Sequence, residues 1–167
     1  MQLETARLLL RPLGPEDEAA LAAVLSDAET MRWYPRPYTG DEVRAWIERQ
    51  TARYPEGSGL LGVVEKDTRR LIGDCGAVWQ EVEGRMELEI GYHVHRKRWG
   101  RGFATEAAKA VMDYAFGQFD VERVVSMIRP ENAASRRVAE KNGLTVDRMV
   151  FWRGYEHCIY QRVKGGE

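Results

Sequence analysis

The stretch MELEIGYHVHRKRWGRGFATEAAKAVMDYAF, residues 86–116, decides how the rest of the chain is read. In its first part Met86, Leu88, Ile90, Tyr92 and Val94 alternate with Glu87, Glu89, His93 and His95, which predicts an extended strand with an apolar face and a polar one. In its last part Phe103, Ala107, Val111 and Tyr114 fall four, four and three apart, the stripe of a helix packed on a sheet. Between them runs Arg96-Lys97-Arg98-Trp99-Gly100-Arg101-Gly102, a basic loop whose two glycines precede the helix.

Strand, glycine loop and helix, in that order, aim backbone amides at an anion. Glycine lets the main chain approach a ligand closely and adopt positive φ, and the first N–H groups of a helix have no internal partner and carry partial positive charge. A phosphate or pyrophosphate fits such a seat, and the loop cations favour it. The same features also describe a plain turn beside a solvated charged face. No Gly-Lys-Ser/Thr follows, so this is not the P-loop pattern, and the spacing and later acidic residue of the dinucleotide fingerprint are missing.

Glu89-Ile90-Gly91-Tyr92, followed by residues 97–107 (KRWGRGFATEA), resembles the acetyl-CoA-binding motif of the GNAT superfamily of N-acetyltransferases, Gln/Arg-x-x-Gly-x-Gly/Ala. Lys97 stands where Gln or Arg is usual, a change that a main-chain anion site tolerates. Residues 5–13 (TARLLLRPL), 132–135 (NAAS) and 140–144 (EKNGL) are similar to the RimJ/RimL branch. The resemblance implies an α/β GNAT fold over residues 1–167 as a single domain, with a mixed, mostly antiparallel sheet of about seven strands flanked by four helices. It also implies acetyl-CoA as co-substrate, with the pyrophosphate on Arg98, Trp99, Gly100, Arg101, Gly102, Phe103, Ala104 and Thr105 and the pantetheine arm along His93 and Val94.

The bulk properties agree with one intracellular domain. A chain of 167 residues buries roughly 70% of its unfolded surface, enough for a core without staples. A formal net charge of −1 and no basic tail make nucleic acid a poor partner. Cys75 and Cys158 form no framework or metal spacing and read as small core residues in a reducing cytoplasm. No apolar run has signal or membrane-spanning length, and His93-x-His95 alone is too thin for a metal. The expectation is a cytoplasmic protein with no membrane partner and no metal; a homodimer is allowed.

Element by element, residues 3–13 read as a strand, and Gly14-Pro15-Glu16-Asp17-Glu18 opens a helix with proline at its first position and carboxylates at its positive end. Residues 26–38 break up around Pro35 and Pro37 and hold Trp33, Tyr34 and Tyr38, either a plug for the end of the core or a substrate-facing wall. The resemblance favours the wall, with Trp33 and Tyr34 as substrate contacts. Thr39-Gly40-Asp41-Glu42 is a capping box for a helix to about residue 54. A three-strand meander follows over 59–66, 71–82 and 86–95; after the helix at 102–117 come a strand at 121–128, a short helix ending at Asn142-Gly143, and a hairpin, 145–152 and 155–163.

Acetyl transfer needs a neutral amine. At pH 7 an α-amine costs about 1 kcal/mol to deprotonate and a lysine-type amine about 4.6, so only the latter demands a strong base. Glu89 and His93, on the polar face of the central strand, can take the proton directly or through water; each can equally be a satisfied structural group. A β-bulge in this strand would break that face assignment. The tyrosine acid that many relatives place two residues before the Lys of Glu-Lys-x-Gly is Ala139 here. Ser135, three after Asn132, matches the family position near the sulfur and is the candidate acid, with Asn132 and Ser135 beside the cofactor; the spacing also suits an N-cap and its first-turn partner. Arg136, Arg137 and Lys141 either meet the 3′-phosphate or form a solvated basic face.

Three activities fit: an N-acetyltransferase acting on a peptide N-terminus or a small-molecule amine, a non-catalytic acyl-CoA-binding regulatory module, and a phosphate-loop nucleotide binder.

Overall fold

A computed structural model describes residues 1–166. β1 (Leu3–Glu4) and β2 (Leu8–Arg11) open the chain as a tight antiparallel pair. The single strand expected over 3–13 is split because the Thr5 hydroxyl takes the Leu8 N–H at 3.0 Å and Thr5 N donates back to Leu8 O at 2.9 Å, closing a turn. α1 (Glu18–Leu25) follows one 3₁₀ turn at Pro15–Asp17, and α2 (Gly40–Arg53) starts on the expected reciprocal cap between Thr39 and Glu42.

β3 (Gly59–Glu65), β4 (Arg70–Val82) and β5 (Arg85–Val94) form the meander, α3 (Phe103–Gln118) crosses over, and β6 (Arg123–Ile128) lies parallel to β5. α4 (Ala133–Lys141) and the hairpin β7 (Thr145–Trp152) and β8 (Tyr155–Val163) complete the chain. The sheet order is β1-β2-β3-β4-β5-β6-β8-β7, eight strands because the first segment became two.

β5 sends Leu88, Ile90 and Tyr92 into the cluster that α3 fills with Phe103, Ala107, Val111 and Met112. Burial of the larger of these apolar side chains, worth roughly 1.5–3 kcal/mol apiece, fixes which way the strand faces. A second cluster under α1 and α2, with Leu21, Val24, Leu25, Val43 and Ile47, covers the opposite side. Met86, expected inside, is 56% exposed at the start of the strand. No bulge interrupts β5 against β4: pairing runs unbroken from Gly73↔Val94 to Val82↔Arg85, so the alternation holds through His93. The polar face is nonetheless not wet, since Glu87 and His93 are both buried.

Candidate active site

β5 and β6 meet at one register pair, Glu89↔Val125, and part beyond it. In the antiparallel ladder to β4, His95 N donates to Ile72 O at 2.9 Å. Alternation along that ladder makes Asp74/His93 the next hydrogen-bonded pair and turns the N–H groups of Tyr92 and Val94 away from β4, into the gap beside β6. Two carbonyls of this edge are already used: Ile90 O accepts from Ser126 Oγ at 2.9 Å, and Val94 O from Trp99 Nε1 at 2.7 Å.

At the end of the gap lies the glycine loop. Gly100 and Gly102 hold φ of 74° and 81°, left-handed values that suit glycine alone without strain, and they turn the chain into α3. Among the described residues, none of the N–H groups of 100–105 donates to an acceptor in the chain, and α3 has no side-chain cap. Of the eight loop residues expected at the pyrophosphate, Arg98, Trp99, Gly100, Gly102, Phe103, Ala104 and Thr105 line a cleft of about 390 Å³ with His93, Val94, Asn132 and Ser135. Arg101 is not among its lining residues; its carbonyl accepts from Arg7 Nη1 at 2.8 Å. Arg98 also faces Glu65 at 3.0 Å. Of the three α4 cations, Arg137 and Lys141 line the cleft, whereas Arg136 is turned to Tyr160 Oη at 2.9 Å and the Pro130 carbonyl at 3.2 Å.

A second cavity, about 550 Å³, opens on the α2 side of β5 between aromatic walls that include Trp33, Tyr34, Tyr38 and Trp46. Gly91 lines it with open space where a side chain would stand. Trp33, Tyr34, Tyr92, His93, Asn132 and Ser135 line both cavities and so mark where they join. Glu89 lines the α2-side cavity alone. Burial pushes its carboxyl above the usual range, against the Gln80 side chain, the Arg153 charge and the Met127 amide, which pull it down.

Asn132 caps α4, its Oδ1 accepting from Ser135 N at 3.2 Å, so capping and cleft lining coexist in this pair. Ala139, at the position of the usual tyrosine acid, is buried in the core.

Sequence reasoning missed two groups. Asp74 on β4 is completely buried; its Oδ1 lies 2.7 Å from His93 Nδ1 and its Oδ2 accepts from Trp46 Nε1 at 2.8 Å. A lone acid inside the otherwise apolar run Ile72-Gly73-Asp74-Cys75-Gly76-Ala77 was the available signal. Arg7 was the other, and nothing local to residues 5–13 ties it to the loop at 98–105.

A family profile described as an acetyltransferase (GNAT) domain matches residues 7–145. The uncharacterized N-acetyltransferase YoaA of Bacillus subtilis is 32% identical over 176 residues, covering 99% of this chain and 98% of the relative. A GNAT-family acetyltransferase structure from Bacillus anthracis superposes with a TM-score of 0.84 at 24% identity, over 99% of this chain and 100% of that one. RimL, a ribosomal L7/L12 α-N-protein acetyltransferase solved with coenzyme A, shares the fold at a TM-score of 0.78 and 19% identity, over 98% of each chain.

Proposed function

The chain belongs to the GNAT acetyltransferase family, and on that premise we propose that it transfers the acetyl group of acetyl-CoA to a primary amine, a peptide N-terminus or a small-molecule amine, by direct attack with both substrates bound. The observation that carries this reading is the junction of two cavities: one ringed by unpaired loop amides, the other walled by aromatics, meeting at His93 and Ser135. Phosphate oxygens would take the N–H groups around Gly100 and Gly102, and the pantetheine would lie against the free amides of Tyr92 and Val94. The thioester then reaches the junction, where an amine from the aromatic cavity can meet it. Holding both reactants there removes much of the entropic barrier.

A peptide N–H in the gap, Val94 foremost, stabilises the oxyanion of the tetrahedral intermediate. Glu89 and His93 are the groups able to accept a proton on the acceptor side, and Ser135, which lines both cavities, is the candidate to protonate the leaving thiolate. Similarity in fold to RimL supports the RimJ/RimL-like branch and a protein α-amine among the acceptors; a cytoplasmic site of action follows from that reading. A second reading, an acyl-CoA-binding module without turnover, draws on Ala139, where the usual acid is missing.

Saturation with acetyl-CoA at a hundred times Kd stabilises by about 2.7 kcal/mol, a melting shift of roughly 5–10 °C for a chain of this length. ATP is expected to give none, and Gly102→Glu, which places a carboxylate on a left-handed backbone in the anion seat, is expected to abolish the shift. Release of free thiol with an amine panel separates the two readings: a binding module shifts on melting and releases nothing above background. Stabilisation by ATP alone would sink both.

A further inference from the structure

We propose that Asp74 and His93 act as one proton-accepting unit, Asp74 as the positioning residue and His93 Nε2 as the atom that takes a proton from the acceptor amine; this rests on the acetyl-transfer reading above. Asp74 is wholly buried, and its two oxygens are divided between Trp46 Nε1 and His93 Nδ1. A carboxylate in that position accepts, so the neutral imidazole carries its hydrogen on Nδ1 and leaves the Nε2 lone pair free. His93 is only 8% exposed, yet Nε2 has no hydrogen-bond partner among the described residues. Buried polar atoms are nearly always satisfied, and this one belongs to a residue at the junction of the acceptor cavity and the cofactor cleft. Tyr34 and Trp46, with ring centroids 4.8 Å and 5.8 Å from the imidazole, fix its plane.

One proton of the ammonium passes to Nε2, and the neutral amine attacks the thioester carbonyl, forming the N–C bond. As the C–S bond breaks, the second nitrogen proton leaves with the CoA thiolate, and imidazolium returns its proton to solvent. The ionisable groups beside His93 are Asp74 on β4, Tyr34 of the connection after α1 and Glu89 on its own strand, and Arg49 of α2, Arg129 and Arg153 line the same cavity. Glu89, outside the junction, is left to orient the amine.

The test combines ring-nitrogen NMR, straightforward with three histidines, with rates on amines of graded pKa. Wild-type His93 is expected to be protonated on Nδ1. Asp74→Asn, whose amide donates to Nδ1, should move the proton to Nε2 and lower kcat on the order of 10²–10⁴-fold, most for high-pKa amines. Its acetyl-CoA melting shift should survive, and the acid limb of the kcat pH profile should vanish. His93→Gln should lose as much, and the double variant little more; if Asp74→Asn does not fold, His93→Gln and the wild-type tautomer carry the test. A wild-type proton on Nε2, or variants that keep the wild-type rate and pH profile, overturns the proposal. Wild-type protein that binds acetyl-CoA but acetylates no amine overturns the transfer reading and the proton-accepting role with it, while the tautomer still reports the Asp74–His93 bond.

Discussion

Arg7 Nε lies 2.7 Å from Glu106 Oε2, so the turn between β1 and β2 is fastened to the first turn of α3, 99 residues further along the chain. The same guanidinium donates to Arg101 O and lies 4.3 Å from the centre of the Phe103 ring, bracing the anion loop from behind. With 45% of the Arg7 side chain exposed, the ion pair itself adds little stability. Its effect should appear in the ligand: Arg7→Ala is expected to raise the acetyl-CoA Kd about tenfold, roughly 1.4 kcal/mol, with the melting temperature of the free protein nearly unchanged. Calorimetric titration checks this; an unaltered Kd would show that the loop holds its shape alone.

Glu89 has a carboxyl that burial pushes upward, so the folded state favours its neutral form. The sign follows: its contribution is most favourable at acid pH and is lost as pH rises through the folded pKa, where a half-buried charge forms. Glu89→Gln should therefore raise the melting temperature at pH 8 while changing it little at pH 4.5, and should also slow turnover. Scanning calorimetry at the two pH values decides it, since a variant no more stable at pH 8 would mean that the charge is fully compensated.

Glu87 and Arg123 form a buried ion pair across β5 and β6, with side chains 5% and 14% exposed, and Arg123 also reaches Gln161 Oε1 at 2.7 Å and Asp147 Oδ2 at 3.1 Å. Glu87→Ala leaves Arg123 with Asp147 and Gln161 as partners, so it should destabilise by about 1.5–3 kcal/mol in urea unfolding. Acetyl-CoA affinity of the folded fraction should be retained, because neither residue lines the cofactor cleft.

Gly91 lies on the floor of the acceptor cavity, where a Cβ would meet no atom within 4 Å. Gly91→Val suits a strand and puts a branched side chain into that space. The amine KM should rise severalfold while the acetyl-CoA melting shift persists; a reduced shift with unchanged amine KM would place the acceptor elsewhere.

Much of the fold was legible because it is written in short-range pattern. The alternation at 86–95, the helical stripe from Phe103, the Thr39–Glu42 cap and the left-handed glycines at 100 and 102 each depend on near neighbours in sequence, and the structure realises all of them. The split of the first strand escaped because one hydroxyl, that of Thr5, diverted the backbone. Arg136 resembled its neighbour Arg137 in sequence, and only helix phase against β8 turned it to Tyr160.

By itself the sequence determined the family, the order of the elements and the face that the residues of β5 from Glu87 to Val94 present, since periodicity and a run of glycines are local properties of a chain. Tertiary structure alone decided that Asp74 meets His93, that Arg7 braces the loop, and that the polar face of β5 is enclosed. Those facts depend on which strands lie side by side and how far β5 and β6 part, and such long-range pairing is set by the packing of the whole core.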